Sequence, residues 1–352
     1  MCGSLLVLSG CSHDNGDSDI ENLVETQALE KGDYGATLPF KSSDSRQQHN
    51  LRARSLIDSM YIGTGLLQYS KEYFSINNYT IQEGQFLGFD ELRSLLGRTS
   101  DTNPDGMNPA SGSSFDTGNG MINAPVLVRD IYEVDFMKGS DLHGISLAIV
   151  FNNNVSENGT GEVTTAVTDE KLRAFAEDAV RRLITDFMRK QPEIGDTIPI
   201  YVALYKDSSK DDMLPGAYFA NAYFEGRTGN FSSIDEKWVM FPSQEATSLE
   251  GTVALQFTQM KNSLYGYLPD DVNMIGKGKF ESSSLKELHI DIEMYAKTAT
   301  EAISLTQYVK TLLSTFTSLD YKIIVEVSCQ NETIATMVRQ SGSSDVVTNN
   351  LL

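Results

Sequence analysis

Leu172, Phe175, Ala176, Ala179, Val180, Leu183, Ile184, Phe187 and Met188 recur in a three-four rhythm over more than four turns. A stripe of that length dictates an amphipathic helix with one face laid against other secondary structure. Its ends are marked as well. Thr168 stands at the N-cap position, and Asp169 and Glu170 suit the positive end of the helix dipole. Arg189 and Lys190 suit the other end, and Pro192 prevents continuation. The flanking segments have a period of two. Leu142–Phe151 places Ile145, Leu147, Ile149 and Phe151 on one face, and Ile198–Tyr205 and Ala217–Glu225 follow the helix as strands. A helix between two such strands predicts a right-handed crossover on a sheet.

The same order returns in the second half. Residues 244–264 read as helical and Asn273–Phe280 as extended. Leu288, Ile290, Ile292 and Met294 alternate, and Thr298-Ala-Thr-Glu301 forms a capping box. Ala302, Leu305, Val309, Leu312, Leu313 and Phe316 then mark one helical face. Tyr321, Ile323, Val325, Val327 and Cys329 alternate again, with a last strand at Thr333–Arg339. In the first half, Leu56, Ile57, Met60 and Leu67 predict a helix within residues 51–74, 99–125 reads as a long loop, and Val126–Phe136 as a strand. The expected fold is α+β, with tandem duplicated α/β repeats, each helix-strand-strand-helix-strand-strand, after a disordered N-terminal tether. The boundaries fall at 1–10 (signal-peptide remnant), 11–50 (lipidated cysteine and tether), 51–230 (N-terminal segment and first repeat), 231–342 (second repeat) and 343–352 (tail).

The N-terminus carries an address. Leu8-Ser9-Gly10-Cys11 has the form of a bacterial lipobox: an aliphatic residue, two small residues, then the cysteine whose thiol takes the lipid. No Lys or Arg precedes the short apolar run Leu5–Leu8, so the true start is expected upstream. Residues 12–33 hold seven acidic residues, from Asp14 to Asp33, against the single Lys31. They predict a solvated tether. Over the whole chain of 352 residues the formal charge is −20, which argues against nucleic acid or anionic lipid surfaces as partners.

Leu38-Pro-Phe-Lys, Ser45-Arg46, Gly65-Leu66, Tyr69-Ser70-Lys71, Gln82-Glu83-Gly84-Gln85, Arg98, Asn103-Pro-Asp-Gly-Met-Asn-Pro109, Trp238 and Phe241-Pro-Ser follow one another in an order that resembles the CamS family of Gram-positive lipoproteins. The resemblance implies an extracytoplasmic protein attached to the cell membrane through lipidated Cys11. It also implies that the apolar stretch Ser4, Leu5, Leu6, Val7, Leu8, Ser9 and Gly10 is cut out as a short sex-pheromone peptide that induces plasmid conjugation. It leaves the role of the mature body open. The alternative reading is a surface lipoprotein that binds a solute or peptide in a cleft between the two repeats.

No pattern here carries catalysis, so neither an enzyme nor a cofactor is expected. Asp101-Thr-Asn103-Pro-Asp105-Gly106 imitates half a calcium loop, but its twelfth position is Gly112, and a turn explains it. His143 and His289 begin corresponding strands without a telling neighbour, and the four histidines are too scattered for a multi-histidine metal centre. Cys329 reads as a buried, inert thiol, Asp207–Asp212 as a solvated turn, and Gly276-Lys-Gly278-Lys as a turn or strand entry. Tyr218, Phe219, Tyr223, Phe224, Trp238, Tyr265 and Tyr267 are assigned to the core in preference to a groove.

Overall fold

The alternating segments build two six-stranded sheets of the same topology. The computed structural model describes residues 24–52, 56–208, 213–268 and 271–351. In the first sheet β1 (Thr80–Glu83), β2 (Val128–Lys138), β3 (Asp141–Phe151), β4 (Ile200–Lys206), β5 (Ala217–Glu225) and β6 (Thr228–Ser233) lie side by side in chain order. In the second, β7 (Glu236–Phe241), β8 (Val272–Glu281), β9 (Ser284–Met294), β10 (Lys322–Cys329), β11 (Glu332–Arg339) and β12 (Val346–Asn350) do the same. The third and fourth strands of each sheet are parallel, and every other neighbouring pair is antiparallel.

The helices are α1 (Arg46–Arg52), α2 (Leu56–Ser70), α3 (Phe89–Leu95), α4 (Asp169–Arg182), α5 (Gln244–Leu249), α6 (Gly251–Tyr267) and α7 (Ala299–Leu312). α4 and α7 join the parallel pairs. Each sheet therefore has the order strand, helical segment, two strands, helix, three strands. Within this order a helical segment, two strands, a helix and two strands are bracketed by one more strand at each end, but in the first sheet that helical segment is α3, not the helix expected within 51–74. Among the described residues, no helix is long and apolar enough to cross a membrane.

The long stripe is continuous but not α-helical throughout. After Arg182 it widens into a π-helical stretch, Leu183–Phe187, and closes as a 3-10 turn, Met188–Lys190. Thr168 holds the N-cap position through its backbone, without a side-chain cap bond, whereas the Thr298 hydroxyl accepts from Glu301 N at 3.2 Å. Arg189 does more than suit the dipole. It is buried and donates to the carbonyls of Gly195, Ile198 and Gly226, at 3.0, 2.6 and 2.8 Å.

The two sheets are covered differently. One face of the first carries Ile145, Leu147, Ile149, Ile200, Val202 and Leu204 against α3 and α4. Its other face, with Ala148, Val150, Tyr201, Ala203 and Tyr205, packs on Ile62 and Leu66 of α2. The second sheet buries Leu288, Ile290, Ile292, Ile323, Val325 and Val327 against α6 and α7, and leaves its opposite face polar.

Several expectations need correction. The helix expected within 51–74 is α2, but Met60, expected on its inner face, is 58% exposed because α2 buries Ile62, Leu66 and Ser70 instead. Residues 24–49, expected as part of the tether, are folded onto the body. Val24–Glu25 pairs with Thr37–Leu38, the buried Tyr34 ring lies 5.2 Å from Phe136, and the Tyr34 hydroxyl donates to Phe74 O at 2.5 Å. Cys11, the lipobox residues Leu8, Ser9 and Gly10, and the peptide Ser4–Gly10 lie outside the described residues. The tail contains β12. Cys329 is half-buried, since a bulge at Val327/Ser328 ends the alternation before it. Gly276–Lys279 is mid-strand, and the glycines leave room for Phe241 and Phe257. Asp207 is not solvated; it is buried and pairs with Arg129 at 3.3 Å. The Asp101–Gly106 segment is a turn, with Asn103 and Ser100 bonded through their backbones.

Candidate functional site

Because α2 lies on the first sheet and faces the open side of the second, a cleft forms between them. Its volume is about 490 Å3, within the range of small-ligand sites. α2 supplies Tyr61, Gly65 and Gln68 to one wall and the turn after it Lys71; the second sheet supplies Glu236, Trp238, Lys279, Glu287, His289 and Lys322 to the other. An N-terminal arm, represented by Leu29, Glu30, Asp33 and Tyr34, lies at the margin.

The second-sheet wall is a product of register. Trp238 stands opposite Lys279, Lys279 opposite Glu287, and Glu287 opposite Lys322, so one row crosses β7, β8, β9 and β10 with alternating charge. Opposite charges placed directly across strands attract each other. At one end the row is buried: Lys279 Nζ lies 3.1 Å from Glu236 and 3.5 Å from Glu281. Burial pulls the Lys279 ammonium down, but Glu236, Glu281 and Glu287 outweigh it and leave its pKa raised. The Tyr69 hydroxyl of α2 donates to Glu236 at 2.6 Å; burial, then the Glu236 charge, push its pKa far up, so it stays a donor. Burial works to raise Glu287, but His289, 2.8 Å away, together with Lys279 and Lys322 brings it down, so it is ionised.

The aromatic part of the wall is Tyr61, Trp238 and His289. The Trp238 ring lies 5.0 Å from Tyr61 and 5.2 Å from His289, both edge-on, and Tyr61 Oη is 3.4 Å from His289 Nδ1. α2 comes this close to the first sheet because residue 65 is glycine. A Cβ there would stand 2.5 Å from the Tyr218 ring, whose hydroxyl is fixed on Ile62 O at 2.5 Å. Gly65→Ala is expected to destabilise the protein by about 1–3 kcal/mol through overpacking and to shift the emission of Trp238. Urea unfolding followed by fluorescence checks both.

His143 and His289 do not meet: the His143 ring lies tilted beside Tyr79, 5.7 Å between centroids, while His289 faces the cleft. Among the aromatics, Tyr218 and Phe224 are core, Tyr267 is 45% exposed, and Trp238 belongs to the cleft wall. A second constellation had no local signal in the sequence. Ser45 Oγ lies 3.2 Å from His49 Nε2, and His49 Nδ1 lies 3.0 Å from both oxygens of Asp130. The order is that of an acyl-transfer triad. However, Ser45 is only 4% exposed and its hydroxyl is 2.6 Å from that of Ser43. Burial and the Ser43 contact close this network around the Asp130 carboxylate, which is 1% exposed.

The model of a family described as the CamS sex pheromone cAM373 precursor matches residues 40–345. The chain belongs to the CamS family. Among curated proteins none matches this sequence. Among the solved structures that share this fold are two sex pheromone precursors. A sex pheromone precursor from Lactobacillus salivarius subsp. salivarius UCC118 is 23% identical with a TM-score of 0.83, covering 94% of this chain and 99% of its own. The C-terminal domain of the sex pheromone staph-cAM373 precursor from Staphylococcus aureus is 21% identical with a TM-score of 0.70, covering 85% and 98%. The match over 40–345 takes in Ser45, α2, the first sheet, the second sheet as far as β11 and the two cleft walls, but not β12, the arm or the lipobox.

Proposed function

We propose that the chain is a lipid-anchored pheromone precursor on the extracytoplasmic face of the cell membrane. In this reading Cys11 takes the lipid, and Ser4–Gly10 is released and trimmed to a signalling peptide. The observation that carries it is membership of the CamS family together with Leu8-Ser9-Gly10-Cys11 at the N-terminus. Leu5, Leu6, Val7 and Leu8 could each contribute about 1.5–3 kcal/mol if fully buried in a receptor, enough for a short uncharged peptide to bind after ordering costs. Cys11→Ala is expected to move the protein from the membrane to the soluble fraction while the unfolding midpoint of the body stays unchanged. Retention on membranes through high salt and carbonate would defeat the anchoring half of the proposal. Donor-cell clumping with the synthetic Ser4–Gly10 peptide tests the other half.

For the body, the inter-sheet cleft favours a second, compatible reading: a binding protein rather than an enzyme. Its charged groups are engaged in pairs, which suits holding a ligand more than attacking one. We further read the two sheets as a duplication. Identical strand order and the same position of the parallel pair support it.

A further inference from the structure

We propose that the arm loop Leu29–Asp33 is a displaceable internal ligand of the cleft, and that the cleft's external ligand is an acidic peptide segment. This rests on the reading of the cleft as a binding site. Lys71 stands on the α2 wall and Lys322 on the second-sheet wall. The arm places one carboxylate on each: Asp33 Oδ1 is 3.1 Å from Lys71 Nζ, and Glu30 Oε2 is 3.7 Å from Lys322 Nζ and 3.1 Å from Gln340 Nε2. Two carboxylates three residues apart thus bridge the two walls from a single loop.

The loop is held weakly between firm attachments. Glu30 and Asp33 side chains are each 53% exposed, and ion pairs in such positions are worth little. Leu29 is fully exposed and adds no apolar anchor. The residues that follow are fixed: Tyr34 is buried, and Gly35 O accepts from Ile81 N at 2.9 Å. The residues before it are fixed by the pairing of Glu25 with Thr37. Gly32, with φ +100°, supplies a backbone conformation that lets the chain turn between the two acids.

The remaining charges of the cleft are not exchangeable in this way. Lys279 and Glu236 are paired with side chains 11% and 3% exposed, and Glu287 holds His289. Lifting the loop therefore releases Lys71 and Lys322 as donors on either side of the Tyr61 and Trp238 wall. Lys71 keeps Gln68 Oε1 at 2.9 Å, a neutral acceptor that leaves its charge uncompensated. A peptide with two carboxylates at the spacing of Glu30 and Asp33 makes the same two contacts.

The chain has a single tryptophan, Trp238, so its fluorescence reports on the cleft directly in the full-length protein. The probe is a synthetic peptide of residues 27–36, with a control in which Glu30→Gln and Asp33→Asn remove both charges. Releasing the arm by the same two substitutions in the protein is expected to tighten binding of the acidic probe about tenfold, because the seated arm no longer competes. Acrylamide quenching of Trp238 is expected to rise in that variant. In Lys71→Gln/Lys322→Gln, quenching is also expected to rise but probe binding to be lost. Equal affinity of the wild-type and arm-released proteins, or binding retained without the two lysines, overturns the inference. If the uncharged control binds as tightly as the acidic probe, the cleft is a peptide site and only the acidic class is wrong. If arm release leaves quenching unchanged and neither peptide alters Trp238, the cleft reading fails as well.

Discussion

Lys279→Met is expected to cost about 3–5 kcal/mol of stability, the penalty for leaving one member of a buried ion pair without its partner. The charge left behind is Glu236, whose side chain is 3% exposed. The Tyr69 hydroxyl and the Tyr218 N–H, at 2.6 and 3.2 Å, would remain as donors, but neither neutralises it. The cost falls on the cleft, because Glu236 links three elements: α2 through Tyr69, β5 through Tyr218 and β8 through Lys279. Adding Glu236→Gln to Lys279→Met is expected to recover most of the loss, since the amide oxygen still accepts from both donors and no charge is stranded. Urea unfolding of the four members of the cycle measures this coupling. Additive single effects would mean that the pair is not an energetic unit, and would remove the argument that this end of the cleft is permanent.

What the sequence disclosed about this fold depended on whether a residue's environment is set locally. α4 shows a plain 3.6 period because one of its faces meets one sheet, and β3 was found through its alternation. α2 defeated the same reasoning. It is flanked by two sheets, so Tyr61 and Tyr69 point toward one and Ile62 and Leu66 toward the other, and no single stripe marks the inner face. β12, reading Val-Val-Thr-Asn-Asn, is a strand only because β11 offers it an edge. The arm was assigned to a tether on its acidity, yet its acids find lysines far away in the chain. The residues of the cleft walls carry no local signal for the same reason. Trp238, Lys279, Glu287 and Lys322 form one row through strand register, and no local spacing announces it. A cleft between the repeats was anticipated as an alternative, but its wall residues were not.

The stability of the first sheet is expected to fall as pH rises from about 5 to 7, and Glu133→Gln is expected to flatten that fall. Glu133 and Asp135 lie two apart on β2 and point the same way. Their carboxyl groups receive a turn of backbone: Leu87 N and Phe86 N donate to Glu133 at 2.8 and 3.2 Å, and Gln85 N to Asp135 at 3.1 Å. Gly84 permits this approach, since a Cβ there would meet Glu133 Cγ at 2.3 Å. Burial raises Glu133 to about 7 against the pull of those N–H groups, Asp135 and the more distant His49. Burial, then the Glu133 charge, raise Asp135, with Lys41 and the Gln85 N–H opposing. Both acids are therefore protonated more readily in the folded chain than in the unfolded one. Their contribution is complete below the unfolded carboxyl pKa and is lost as pH climbs through the folded value. Each pH unit in that window costs about 1.4 kcal/mol per proton at most, so wild type should lose roughly 1–3 kcal/mol between pH 5 and 7 relative to Glu133→Gln. The amide can accept from Leu87 N and donate to Asp135, so the turn leading into α3 should survive. Thermal unfolding of both proteins across this range decides it. Parallel profiles would show that Glu133 titrates alike in the folded and unfolded chains, and would sink the prediction.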